Sequence, residues 1–79
     1  MIKVRIISPE AELFNGEAHA VFLPGTLGEF EVLDNHAPII SSLGEGLIKL
    51  RREGRVETIK ISSGFVRTGR GEMTVCVEL

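Results

Sequence analysis

A chain of 79 residues holds one domain at most, residues 1–79, and it can bury only about 60% of its unfolded surface. Hydrophobic residues make up 43% and charged residues 25%, the balance of a soluble globular protein, and the net charge is −2. With no basic cluster denser than Arg51-Arg52, no Trp and no Tyr, the sequence argues against a nucleic-acid binder and against a sugar- or base-stacking platform.

The chain predicts strands from end to end. Ile2, Val4 and Ile6 alternate with Lys3 and Arg5, the period of a half-buried strand. Those alternating charges also rule out a signal peptide. Pro9 ends the strand because it cannot donate to a ladder. Leu13 to Leu23 is a second extended region, and Gly16 within it predicts a bulge or a turn between two short strands. The longest uncharged run, Ala18 to Gly28, contains Pro24 and is too short to span a bilayer, so any membrane association is expected to be peripheral.

Pro24-Gly25 predicts a type II turn, with proline presetting φ and glycine supplying a positive φ. Phe30 and Val32 then alternate with Glu29 and Glu31, a pair that reads as a solvated face. Asp34-Asn35 marks another turn. Pro38 limits Ala37 to Leu43 to a short or edge strand. Leu47 to Leu50 leads into Arg51-Arg52-Glu53-Gly54-Arg55, a hairpin turn with glycine at the left-handed position. Val56 to Ser62 returns, and Thr68-Gly69-Arg70-Gly71 marks a further hairpin. Met73, Val75, Val77 and Leu79 close the chain on one face. No window shows a sustained helical period. The expected fold class is all-β, with about eight to ten short strands in a sandwich or barrel.

The residues that carry chemistry do not assemble into a catalytic pattern. Cys76 is the only cysteine, so no disulfide forms within the chain and no site of two thiolates exists; a reducing compartment fits. It lies mid-strand, in the setting of an inert thiol. His19 and His36 are far apart in sequence, with no Cys or second His nearby to complete a metal site. Ser62-Ser63-Gly64-Phe65 lacks the pattern of a nucleophile elbow. Gly25-Thr26-Leu27-Gly28 lacks the Lys-Ser/Thr ending of a phosphate-binding loop. No catalytic, cofactor or metal residue is assigned.

The stretch LPGTLGEFEVLDNHAPIISSL, Leu23 to Leu43, closely resembles a signature of the ε subunit family of F-type ATP synthases. A Leu-Pro-Gly is followed by Gly-Glu-Phe, an apolar strand, and His-Ala-Pro before an apolar pair. Ile6-Ile7-Ser8-Pro9-Glu10 with Leu13-Phe14-Asn15-Gly16-Glu17 is similar to the family's opening. Gly46 to Leu50, Ser62 to Val66 and Met73 to Val75 follow in the family's order. The resemblance covers the whole chain.

It implies a flattened β-sandwich of about ten short strands in two sheets. It also implies a non-catalytic rotor subunit at the foot of the central stalk. That subunit binds the γ subunit and rests on the membrane c-ring, so that proton-driven rotation reaches the catalytic head. One copy per complex is implied, peripheral to the membrane, on the cytoplasmic face of a bacterial inner membrane or its organellar equivalent. On the matching positions, Thr26, Leu27, Gly28 and Glu29 face the c-ring, with Glu29 as an acceptor. His36 lies at the same lower edge, near γ and c, and Ser8 lies close to γ.

Asp34-Asn35 stands where the family often has Pro-Gly, and Ser63 where it has a first glycine. Many members continue into a helical hairpin, whereas this chain stops at Leu79; it is read as a short form, and regulation by a helical arm is not transferred. Two other functions compete. One is a free-standing sandwich that binds a ligand or peptide, recruiting an added strand at the Pro-capped segment Ala37 to Leu43. The other is a small hydrolase in which Cys76, His36 and Ser63 would have to converge.

Overall fold

The computed structural model describes residues 1–79, and all of its regular structure is strand. Nine strands follow in chain order: β1 Ile2–Ile7, β2 Glu12–Ala18, β3 Ala20–Gly25, β4 Gly28–Leu33, β5 Ile40–Leu43, β6 Gly46–Arg52, β7 Arg55–Ile61, β8 Ser63–Gly69 and β9 Glu72–Glu78. No helix is long and apolar enough to cross a membrane. All-β is therefore the fold class, a sandwich whose two layers belong to one continuous hydrogen-bonded sheet curled on itself. The order is β2-β1-β9-β8-β5-β3-β6-β7, with β4 on the other edge of β3. Every pairing is antiparallel except β1 with β9.

Three short bends, at His19, at Gly44-Glu45 and at Ser62, carry strands from one layer to the other. β2 runs on into β3, β5 into β6 and β7 into β8. One layer is β2-β1-β9-β8-β5, and the other is β7-β6-β3-β4. Their inner faces meet in a single core. Ile2, Val4, Ile6, Val66, Val75 and Val77 come from the first layer, and Val21, Leu23, Val32, Ile48, Leu50 and Ile61 from the second. At period 2 each of these leaves its neighbour facing solvent, as the burial of β1 shows residue by residue.

The seam between layers is laced by Arg52. Its Nε donates to the Glu17 carbonyl at 2.9 Å and its Nη1 to Glu57 Oε2 at 2.7 Å. Its guanidinium lies 5.0 Å from the centre of the Phe14 ring. This arrangement explains Gly16, which does not break the strand as expected. β2 runs unbroken through it, and the ladder irregularity falls between Ile6 and Ile7. A Cβ at Gly16 would stand 3.2 Å from the Phe14 ring and 3.6 Å from Arg52 Nη2, so the residue is small to make room.

The two hairpin turns expected at glycine are present. Glu53-Gly54 and Arg70-Gly71 place both central residues at positive φ, the twist that matches flanking antiparallel strands. Pro24-Gly25 is different. Gly25 is not at positive φ but pairs with Gly28 as the last rung of β3, and the turn is Thr26-Leu27. Gly25 is instead required by close approach: a Cβ there would lie 2.7 Å from the Gly28 carbonyl oxygen and 2.9 Å from the Phe30 ring. Leu79 lies past the end of β9 and is exposed.

β5 is short, as Pro38 predicts, but it is not an edge. It pairs with β8 along its length and meets β3 at Gly25. The strand begins two residues after Pro38, so the missing N–H falls outside the ladder. The segment before it is anchored by Thr68, the only buried polar side chain. Thr68 Oγ1 accepts from the Ile39 amide at 2.9 Å, and the Thr68 amide donates to the Ile39 carbonyl at 2.8 Å. Thr68→Val keeps the shape and strands the Ile39 amide. It is expected to lower unfolding free energy by about 1–2 kcal/mol. Hydrogen exchange of Ile39 should accelerate ahead of that of the β6–β7 amides; unchanged exchange at Ile39 would contradict the anchor.

Candidate subunit-contact surface

The β3–β4 hairpin places four of the six residues singled out in the sequence. Its tip, Thr26-Leu27, is pinned to β5. The Thr26 amide donates to the Ser42 carbonyl at 3.2 Å, the two hydroxyls lie 3.0 Å apart, and the Gly44 amide donates to the Pro24 carbonyl at 2.8 Å. A tip held at three points presents its outward side chain in a fixed position. That side chain is Leu27, which is fully exposed at 103% and buries nothing within this chain.

Beside the tip lies an open groove of about 580 Å³. Residues 25–30 form one wall and Ile39, Ile40, Ser41 and Ser42 form the other. The facing wall went unread in the sequence, although Ile39-Ile40 after Pro38 carried a signal. In a strand, two adjacent apolar residues cannot both face the core. Ile39 packs against the core and Ile40 is 80% exposed.

Glu29 begins the solvent-facing set of β4. Its carboxylate is 3.7 Å from Lys49 Nζ, and both side chains are largely exposed, so this pair contributes little and is easily exchanged for another partner. Glu31, on the same face, has no ion partner. The most structured surface carboxylate is elsewhere. The Arg5 guanidinium, hydrogen-bonded to Glu12 at 2.8 Å, and then the Asn15 amide hold the Glu12 carboxyl below its ordinary pKa.

Ser8 and His36 stand apart from the hairpin tip. Ser8 closes the β1–β2 turn: its amide donates to the Ala11 carbonyl at 2.8 Å, and its Oγ accepts from the Ala11 amide at 3.2 Å. Through Gly64 and Leu43 it is four strands from Gly25, a path of roughly 19 Å along the curled sheet at the usual strand spacing. It borders a second, mainly apolar groove with Ile7, Phe65, Cys76 and Val77. His36 follows the turn at Asp34-Asn35, where Asn35 takes φ 62°. That turn is tied to the chain start by Asp34 and the Met1 ammonium at 2.7 Å.

His36 Nδ1 lies 2.7 Å from the Leu33 carbonyl and therefore carries the proton, while Nε2 is buried without a partner. Leu33 and Gly28 are the two ends of β4, about 17 Å apart. His36 and Thr26-Leu27 therefore do not form one lower edge. The family resemblance supplied local motifs, and the length of β4 separates them. No three His, Cys, Asp or Glu side chains converge as a metal-ligand set. The surface geometry suits contact: an exposed apolar tip, a shallow groove and two carboxylates on one sheet face.

The molecule is thus a β-sandwich domain. Its sequence matches, over residues 1–79, the profile of the ATP synthase Delta/Epsilon chain beta-sandwich domain, and the chain belongs to that family. It is 41% identical over 75 residues to an ATP synthase epsilon chain of Desulfitobacterium hafniense, covering 95% of this chain and 57% of that one. It is 32% identical over 77 residues to one from Leptospira interrogans, covering 98% and 61%. The chain therefore spans somewhat over half the length of these relatives.

Two solved structures share the fold. A chain of the Euglena gracilis mitochondrial ATP synthase, in a structure of OSCP, F1 and c-ring, superposes with a TM-score of 0.89 at 22% identity, over 96% of this chain and 49% of that one. A chain of the Tetrahymena thermophila mitochondrial ATP synthase central stalk and c-ring gives 0.82 at 14%, over 99% and 63%.

Proposed function

We propose that this domain is a non-catalytic rotor component of an F-type ATP synthase, joining the γ subunit to the c-ring so that ion-driven rotation reaches the catalytic head. Family membership over the full chain and the epsilon-chain relatives support the reading. The observation that carries it is the exposed apolar pair Leu27 and Ile40 about one groove, on a tip that Thr26, Pro24 and Gly44 pin to β5: clustered exposed apolar groups mark contact sites. Thr26, Leu27, Gly28 and Glu29 are assigned to the ring, with Glu29 exchanging Lys49 for a basic or amide group of a c-subunit loop. Ser8 and His36, on separate parts of the surface, are assigned to the γ side. One copy per complex serves, peripheral to the membrane and on the cytoplasmic face of a bacterial inner membrane.

The ring assignment is tested in a synthase reassembled with this chain. In a Cys76→Ser background, Leu27→Cys is expected to form disulfides with cysteines placed in the polar loops of the c subunit. Retained binding to γ with no adduct to any c subunit would contradict it.

A further inference from the structure

The sheet has three outer edges, and two of them are occupied or guarded. β2 is laced to β6 through Arg52 on the Glu17 carbonyl and through the His19 amide, which donates to the Arg51 carbonyl at 2.9 Å. β7 carries Arg55 and Lys60, charges of the kind that discourage edge pairing. β4 carries only the acidic pair Glu29 and Glu31, a guard against like-charged strands and not against basic ones. Its ladder pairs with β3 alone, and the one further bond to its backbone lies at its end, where the Leu33 carbonyl accepts from His36 Nδ1 at 2.7 Å. It contains no proline, lysine or bulge.

We infer that β4 accepts an extended segment of another protein as an added strand, with Lys or Arg at two alternate positions opposite Glu29 and Glu31. Antiparallel pairing to β3 leaves alternate N–H and C=O groups of β4 pointing outward, ready for such a strand. The two glutamates lie on one face of β4, Glu31 unpaired and Glu29 held only by a 3.7 Å contact with an exposed lysine. The adjoining groove, with Phe30, Ile39 and Ile40, seats an apolar side chain of the incoming segment.

The same two carboxylates disfavour a second copy of this chain as the occupant in the register that pairs most of the strand. Antiparallel β4–β4 pairing with matched faces sets Glu29 against Glu31 twice, and like charges directly opposite are destabilising. A one-residue slip sets Glu31 against Phe30 and turns the faces against each other. The edge thus disfavours itself and favours a basic strand. This inference rests on the edge geometry; the added strand and a c-subunit loop would compete for Glu29, whereas Glu31 and the β4 backbone belong to the edge alone.

The test uses the isotopically labelled protein and three blocked peptides: alternating valine and lysine, the same with glutamate for lysine, and the lysine peptide N-methylated at alternate amides. The lysine peptide is expected to shift the amide resonances of Gly28 to Leu33 and to slow their hydrogen exchange. Glu29→Gln with Glu31→Gln should weaken its binding about two- to twenty-fivefold, since each opposed charge pair is worth about 1.4- to fivefold. Added salt should weaken the unmodified protein's binding in the same direction, a readout that holds even if the double variant does not fold. N-methylation should abolish the slowed exchange. Unchanged exchange across residues 28–33, equal protection by the glutamate or N-methylated peptide, or protection on β7 instead, would overturn the inference.

Discussion

Gly64→Ala is expected to destabilise the domain by about 3 kcal/mol or more. A Cβ at Gly64 would overlap the Cys76 carbonyl oxygen and stand 3.2 Å from Val77 Cα. Both are backbone atoms of β9, so no side chain can swing aside. β8 cannot retreat either, because Gly64 pairs with Val77 on one side and with Leu43 on the other. A domain of this size is stable by roughly 4–12 kcal/mol in total, so the loss is a large fraction. Urea unfolding followed by far-UV circular dichroism measures it, since the chain has no Trp or Tyr to report by fluorescence. Gly69→Ala is the control: nothing lies within 4 Å of its would-be Cβ, and the change should stay within about 0.5 kcal/mol. Equal losses at the two sites would contradict the packing argument.

Leu23→Ala is expected to remove about 2–5 kcal/mol, the range for truncating a buried leucine and leaving a cavity. Leu23 is fully buried in β3, the strand that pairs with β4, β5 and β6. Its cavity therefore opens where the layers join and just before the hairpin tip. Thermal melting should fall by roughly 8–40 °C for a chain of this length. Leu27→Ala, four residues on, should leave melting unchanged, because Leu27 has no apolar contact to lose. A residue that the fold does not need and the chain holds rigid is the signature of a contact point. Similar destabilisation by both substitutions would mean that Leu27 packs within the domain after all.

Much of this fold was legible residue by residue. The alternation in β1 and β9 named its buried faces, and Gly54 and Gly71 named their turns, because both depend on near neighbours alone. The three strands that bend across layers were not legible. The buried phase slips by one residue at each corner, between Ala20 and Val21, Leu43 and Ile48, and Ile61 and Val66, and only long-range pairing shows that the slip is a change of layer and not a bulge. Gly25 was misread for a related reason: a glycine after proline usually signals a turn, whereas here it makes room for Phe30 and the opposite backbone. Gly16 likewise answers to Arg52, a residue far along the chain.

The contact residues divided in the same way. Thr26 to Glu29 are adjacent in sequence and form one surface. Ser8 and His36 are joined to that surface only by motif, and the topology sets them well apart. Ile40 was overlooked because its exposure follows from which face of β5 turns to the core. The open edge was sought in the Pro-capped segment and lies instead at β4.

The rotor assignment is tested most directly by assembly. The purified chain is mixed with the γ subunit of the same organism, alone and in complex with the c-ring, and separated by size exclusion. Co-elution with γ, and retention on the ring that Leu27→Ala or Glu29→Ala weakens without changing the melting temperature, is the predicted result. A folded chain that elutes free of both γ and the ring would contradict the account.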